Sequence, residues 1–126
     1  MATLEITKDN FKDTVTKPGI VMLDWWATWC GPCRAFAPIY DKTAENHQDI
    51  VFGKIDTDAQ PELSGSFQIR SIPTLMVFRD GVLIFEQPGA LPAAALEDLI
   101  KQVRALDMAE VHRQIEASKK AKTPQA

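Results

Sequence analysis

Cys30 and Cys33 are the only cysteines in the chain, and Gly31 and Pro32 alone stand between them. A two-residue spacer brings the second sulfur within bonding reach of the first, so the pair can cycle between dithiol and disulfide or contribute two ligands to a metal. A structural zinc site takes four ligands, and only His47 and His112 remain to complete one. Both histidines fit surface or helix-face positions, so no metal is expected and redox chemistry is the better reading.

The surrounding residues set how that chemistry would run. Ile20 to Trp26 is apolar at both alternating positions apart from Asp24, the pattern of a central strand covered on both faces. Cys33, Phe36, Ala37, Tyr40, Ala44 and His47 then recur at helical spacing and predict an amphipathic helix over about 33–48, kinked by Pro38. Cys30 therefore falls where a strand ends and a helix begins. Unpaired backbone N–H groups and the positive end of the helix dipole favour a thiolate there, which marks Cys30 as the expected nucleophile. Pro32 suits the first helical turn, where its missing N–H costs nothing, and Gly31 lets the backbone turn tightly beside a substrate. Cys33, one turn deeper on the apolar face, is expected to be buried and to resolve the mixed disulfide that Cys30 forms.

Asp24 is the most informative residue outside the pair. A carboxylate in a strand buried on both faces is costly unless it is paired or protonated, so it either faces a solvated edge or has a special role.

The elements that position these residues follow from the rest of the pattern. Ala2 to Ile6 reads as a short strand, and Asp9 or Asn10 can cap a brief helix ending before Lys17, Pro18 and Gly19. Ile50 to Ile55 is the next strand, which completes a βαβ unit with parallel pairing. Pro61 to Phe67 predicts a short helix; Thr74 to Phe78 and Val82 to Phe85 predict strands joined in a hairpin through Asp80 and Gly81. Leu96, Leu99, Ile100, Val103 and Leu106 form one apolar stripe on a helix that starts near Pro92. Asp107 and Glu110 resemble a capping box, with Leu106 and Val111 placed as a hydrophobic staple. A further helix is expected over about Met108 to Ser118, its Met108, Val111 and Ile115 needing cover. The predicted organisation is a domain over 1–106, an added helix over 107–118 packed on or beside it, and a mobile polar tail over 119–126.

With 126 residues, 45% hydrophobic and 25% charged, the chain is sized for one soluble globular domain. Its formal net charge of -3 and lack of a concentrated basic surface argue against nucleic acid, the Lys119, Lys120 and Lys122 cluster reading as a solubilising tail. No secretory leader is visible at the amino terminus, and the longest apolar segment, Ile20 to Trp29, is interrupted by Asp24 and Thr28. A cytoplasmic, monomeric protein with no membrane partner is expected.

From about residue 3 to residue 106 the sequence resembles the thioredoxin family. The resemblance rests on W-C-G-P-C at Trp29 to Cys33, D-W-W-A at Asp24 to Ala27, K-I-D at Lys54 to Asp56, R-S-I-P-T at Arg70 to Thr74 and P-G-A at Pro88 to Ala90. It implies an α/β fold with a central mixed β-sheet flanked by helices, a cis peptide before Pro73, and a protein-disulfide reductase whose cofactor is its own cysteine pair. The electron donor it implies is a thioredoxin reductase, and the substrates are disulfide-containing proteins. By the same resemblance Asp24 is the buried acid behind the cysteines, with Lys54 as its partner, and moves a proton to or from Cys33. Trp29, Gly31, Pro32, Ile72, Pro73 and Gly89 correspond to a substrate-binding surface, of which Trp29, Ile72, Pro73 and Gly89 form an exposed apolar rim for an extended segment. Trp25 stands where Phe is common in the family, and Gln68 and Thr57 add polar groups at the edge of that face.

Two rivals are set against this expectation. The fold could serve as a binding module or holdase that recruits a partner through the helix after Asp107. It could also run in reverse as a disulfide-forming oxidant or isomerase. By resemblance such proteins commonly carry His immediately before the second cysteine, and Pro32 occupies that position here.

Overall fold

The computed structural model describes residues 2–122. Five strands form one mixed sheet: β1 (Thr3–Glu5), β2 (Ile20–Trp26), β3 (Val51–Asp56), β4 (Thr74–Arg79) and β5 (Val82–Pro88), in the spatial order β1-β3-β2-β4-β5. Strands β1, β3 and β2 are parallel, while β4 runs antiparallel to β2 and β5 antiparallel to β4. The central place of β2 explains its nearly continuous apolar sequence, because each face needs its own cover. Met22 packs with Phe36 and Tyr40 of helix α2 (Gly31–Asn46) and Leu96 and Ile100 of α4 (Ala93–Arg104). Val21, Leu23 and Trp25 face the other way, into a second cluster lined by Phe11 of α1 (Phe11–Val15) and Leu63 of α3 (Pro61–Ser66).

Gly53 marks the tightest point of that second layer. A Cβ there would stand 2.7 Å from Ile6 Cγ1 and 2.8 Å from Leu23 Cδ2, so only a hydrogen fits between Ile6, just past β1, and Leu23 of β2. Between β4 and β5, Asp80 and Gly81 both adopt positive φ, 50° and 81°, as a two-residue hairpin turn with the sheet's own twist requires.

Element boundaries differ from the sequence expectation in instructive ways. Helix α2 starts at Gly31 and ends at Asn46, earlier at both ends than 33–48, because Cys30 is itself the N-cap. Strand β5 runs on to Pro88, three residues beyond Phe85; at the sheet edge, Glu86 and Gln87 face solvent and leave no apolar signal. Asn10 occupies the N-cap position of α1 but its side chain does not cap the helix. It braces the preceding turn instead, accepting from the Thr7 N–H at 2.8 Å and donating to the Glu5 carbonyl at 2.9 Å.

The added helix α5 spans Met108–Lys122 and so continues four residues past Ser118. Of the expected tail, 119–122 are helical and 123–126 lie outside the described residues. Asp107 Oδ1 accepts from the N–H groups of Ala109 and Glu110 at 3.0 and 3.2 Å, which is the forward arm of a capping box. Glu110 does not supply the return arm: its carboxylate turns along the helix to Arg113 and Gln114. Met108, Val111 and Ile115 are half-buried and belong to neither core cluster. The junction ahead of α5 is fixed by Arg79, whose guanidinium donates to the carbonyls of Val103 at 2.6 Å and Leu106 at 2.8 Å. The Val103 carbonyl, in the last turn of α4, otherwise accepts only the Leu106 N–H at 3.3 Å, and the Leu106 carbonyl lies just past the helix end.

Candidate active site

The end of β2 passes through Ala27 to Trp29 into Cys30, whose N–H donates back to the Ala27 carbonyl at 3.3 Å. Pro32 occupies the first turn of α2, and the chain winds Cys33 back beside Cys30 with a Cα–Cα separation of 5.2 Å. The two sulfurs are joined as a disulfide. The Cys33 N–H points at Cys30 Sγ from 3.2 Å, so a backbone donor of the helix N-terminus is already aimed at the sulfur that would carry charge on reduction.

Opposite the pair lies the loop before β4. The Ile72–Pro73 peptide is cis, and the Ile72 carbonyl oxygen stands 3.7 Å from Cys30 Sγ. The Pro73 carbonyl accepts from the Gly89 N–H at 2.7 Å, which joins this loop to the end of β5. Ala27, Cys30 and Cys33 form a small third cluster with Trp26 and Ile72 packed on it.

The surface around the disulfide separates the expected rim into layers. Trp29 is 67% exposed, Ile72 is half-buried, and Gly31, Pro32 and Gly89 are exposed. Pro73, expected on the exposed rim, is instead buried, in the loop just before β4, where its carbonyl accepts the Gly89 N–H and the end of β5 lies against it. The expected contrast between an outer Cys30 and an inner Cys33 is absent at residue level in this oxidised form, where they are 4% and 3% exposed.

Asp58 was not singled out from the sequence, yet its Oδ2 accepts the Trp29 indole N–H at 2.8 Å. The loop carrying it is shaped by Asp56, whose Oδ1 accepts from the N–H groups of Asp58 and Ala59 at 3.0 and 3.2 Å. No spacing signal links residues 29 apart; only the fold brings them together.

Asp24 is fully buried, 1% exposed, and neither carboxylate oxygen has a hydrogen-bond partner among the described residues. Burial pushes its pKa up to about 7 against the opposing pull of Lys54, and Asp41 adds to the rise. Lys54 is the cross-strand neighbour of Asp24 in the β2–β3 register, but its ammonium does not close an ion pair with that carboxylate. The Lys54 Nζ lies over the Trp26 ring, 5.2 Å from its centroid, where the π face holds the cation. Lys54, Trp26, Asp41, Glu45 and Asp56 line a cleft of about 620 Å³ beside this strand pair.

Elsewhere, His47 contacts Glu97 Oε2 at 2.7 Å and Arg104 at 3.2 Å, and His112 is exposed on α5. Among the described residues, no cluster of three metal-ligating side chains exists and no helix is long and apolar enough to cross a membrane.

Comparison with known proteins agrees with this geometry. Residues 2–102 match the family model described as Thioredoxin. A putative thioredoxin 2 of Streptomyces coelicolor is 57% identical over 114 residues, covering 90% of this chain and 85% of the relative. A match of that length in a chain of 126 residues necessarily takes in Asp107 and the first turns of α5. A thioredoxin of Coprinus comatus is 42% identical over 96 residues, covering 75% of this chain and 90% of the relative. Among solved structures, a Malassezia sympodialis thioredoxin superposes with a TM-score of 0.72 at 32% identity, covering 79% of this chain and 89% of the other. A Plasmodium falciparum thioredoxin gives 0.71 at 30% identity, covering 78% and 96%. The chain therefore belongs to the thioredoxin family and, with its Cys30–Cys33 pair, is a thiol–disulfide oxidoreductase that reduces protein disulfides.

Proposed function

We propose that Cys30 is the attacking sulfur, Cys33 the resolving one, and Asp24 the group that takes the proton from Cys33. In the reduced protein the Cys30 thiolate attacks one sulfur of a substrate disulfide, and the departing substrate sulfur takes up a proton. Cys33 then gives its proton to Asp24 and attacks Cys30 Sγ, which breaks the mixed disulfide and releases the second substrate sulfur as a thiolate that takes a proton from water. The substrate gains two electrons and the cysteine pair loses two. A thioredoxin reductase restores the dithiol, so the redox couple is the protein's own. Lys54 acts on Asp24 through its charge from the Trp26 face, without a direct bond. An extended substrate segment lies over Trp29, Gly31, Pro32, Ile72 and Gly89, with Pro73 fixing the loop from beneath.

The observation that carries this assignment is the Cys33 N–H aimed at Cys30 Sγ from 3.2 Å, which stabilises charge on Cys30 and none on Cys33. Its test is insulin-disulfide reduction with NADPH and a thioredoxin reductase, run beside Cys30→Ser and Cys33→Ser. Both variants should be inactive, and only Cys33→Ser should accumulate a covalent complex with substrate. Trapping by Cys30→Ser instead would reverse the roles.

A further inference from the structure

Among the chain's five arginines, three are committed to the fold itself. Arg79 spans the carbonyls at the end of α4, Arg104 grips Asp49 at 2.7 and 3.0 Å, and Arg113 pairs with Glu110. The remaining two lie in the segments that carry the site, one in the first turn of α2 and one just ahead of the Ile72–Pro73 loop. Arg34 follows Cys33 directly, one helical turn after Cys30, and its exposed guanidinium makes a single bond, to the Thr28 carbonyl at 3.2 Å. That bond draws the cation alongside the segment leading into Trp29 and Cys30 and leaves its other donors unused. Arg70 is exposed, has no hydrogen-bond or ionic partner among the described residues, and precedes by two positions the Ile72 carbonyl that lies 3.7 Å from Cys30 Sγ. A protein with a net charge of -3 thus places the two arginines that have no acidic partner among the described residues within two positions of Cys33 and of Ile72, the residues that touch Cys30. Asp58 keeps its negative charge while its Oδ2 accepts the Trp29 indole N–H, which holds that carboxylate at the Trp29 side.

We infer that Arg34 and Arg70 form a cationic rim that selects disulfides flanked by acidic residues in the substrate chain. The inference rests on the assignment of Cys30 as the attacking sulfur. A carboxylate on either side of the substrate cysteine meets a guanidinium while the sulfurs are brought in line, and a basic flank meets repulsion at the same positions. Both contacts are solvent-exposed, so each changes the rate by about twofold to fivefold and is screened by salt.

The test uses the full-length reduced protein and three disulfide-bridged peptides, identical except for Glu, Gln or Lys on both sides of each cysteine. The second-order rate constant of a single turnover is read by acid quench and chromatography. The Glu peptide should react about tenfold faster than the Lys peptide at low salt, with Gln between them, and about 0.5 M sodium chloride should remove most of the spread. In an Arg34→Gln/Arg70→Gln variant the three rates should fall within about twofold of one another, and Arg34→Lys/Arg70→Lys should restore their order. The ratio between peptides is the readout, because removing a cation near Cys30 also alters how readily its thiolate forms. Equal rates for the three peptides, or a spread that survives in the Gln variant, would overturn the rim. Failure of the wild type on all three peptides would instead count against the Cys30 assignment beneath it.

Discussion

Under the proposed mechanism, Asp24 joins stability to chemistry at the scale of a single residue. Folding raises its pKa from an ordinary 3.8 to about 7, so between those values the native state holds more protons than the unfolded chain. Stability therefore falls as pH rises through that window, and the loss is complete above it. At 1.36 kcal/mol per pKa unit the whole effect is roughly 4 kcal/mol. The Asp24→Ala variant should consequently gain on wild type as pH rises from 4 to 8, which urea unfolding of the oxidised proteins across that range would measure. A constant difference would show that Asp24 does not titrate in the window. The same change should slow disulfide reduction most above pH 7, where the wild-type carboxylate is free to accept a proton, and least near pH 6. What was legible here was the conflict itself, a lone acid in an apolar run. Where Lys54 would put its ammonium was not, because the competing attraction comes from the Trp26 ring face and depends on how the two strands register.

Among the elements, those with a strong local pattern were read within a residue or two, and those ruled by distant partners were not. Strand β2 matched the expected Ile20 to Trp26 because burial on both faces writes itself into every position. The end of β5 and the true work of Asn10 were hidden, one by its solvent-facing edge and the other by a turn that takes up its hydrogen bonds. Arg79 belongs with them: nothing local in a strand foretells that its guanidinium will close the end of a helix about 25 residues further on. The geometry makes it the fastening of the α4–α5 junction. Arg79→Met keeps the aliphatic stem and removes the donors, and should cost about 2 kcal/mol. Hydrogen exchange should then speed up at Leu106 and through the first turn of α5, while amides of β2 stay protected. Unchanged protection in α5 would mean that its own cap at Asp107 is sufficient.

At the scale of the molecule, the reactive loop, the Ile72–Pro73 loop and the end of β5 meet at one edge of the sheet, whereas Arg79 ends β4 some five residues away from that edge. The junction it holds is therefore remote from the sulfurs. Removing residues 107–126 should leave insulin reduction within about twofold of wild type and lower the melting temperature by about 4 °C, since the half-buried Met108, Val111 and Ile115 lie outside both core clusters. Loss of reductase activity with the fold intact would make α5 part of the working domain.

The indole clamp between Trp29 and Asp58 carries a consequence for how a target is met. The largest exposed aromatic plate on the protein is held by the loop that follows the neighbouring strand β3, so its rotation is settled before any target arrives. Freezing such a side chain on contact would otherwise cost about 0.5–1.5 kcal/mol of association entropy. A visiting chain finds its landing surface already set, and the disorder lost in the encounter is mainly its own.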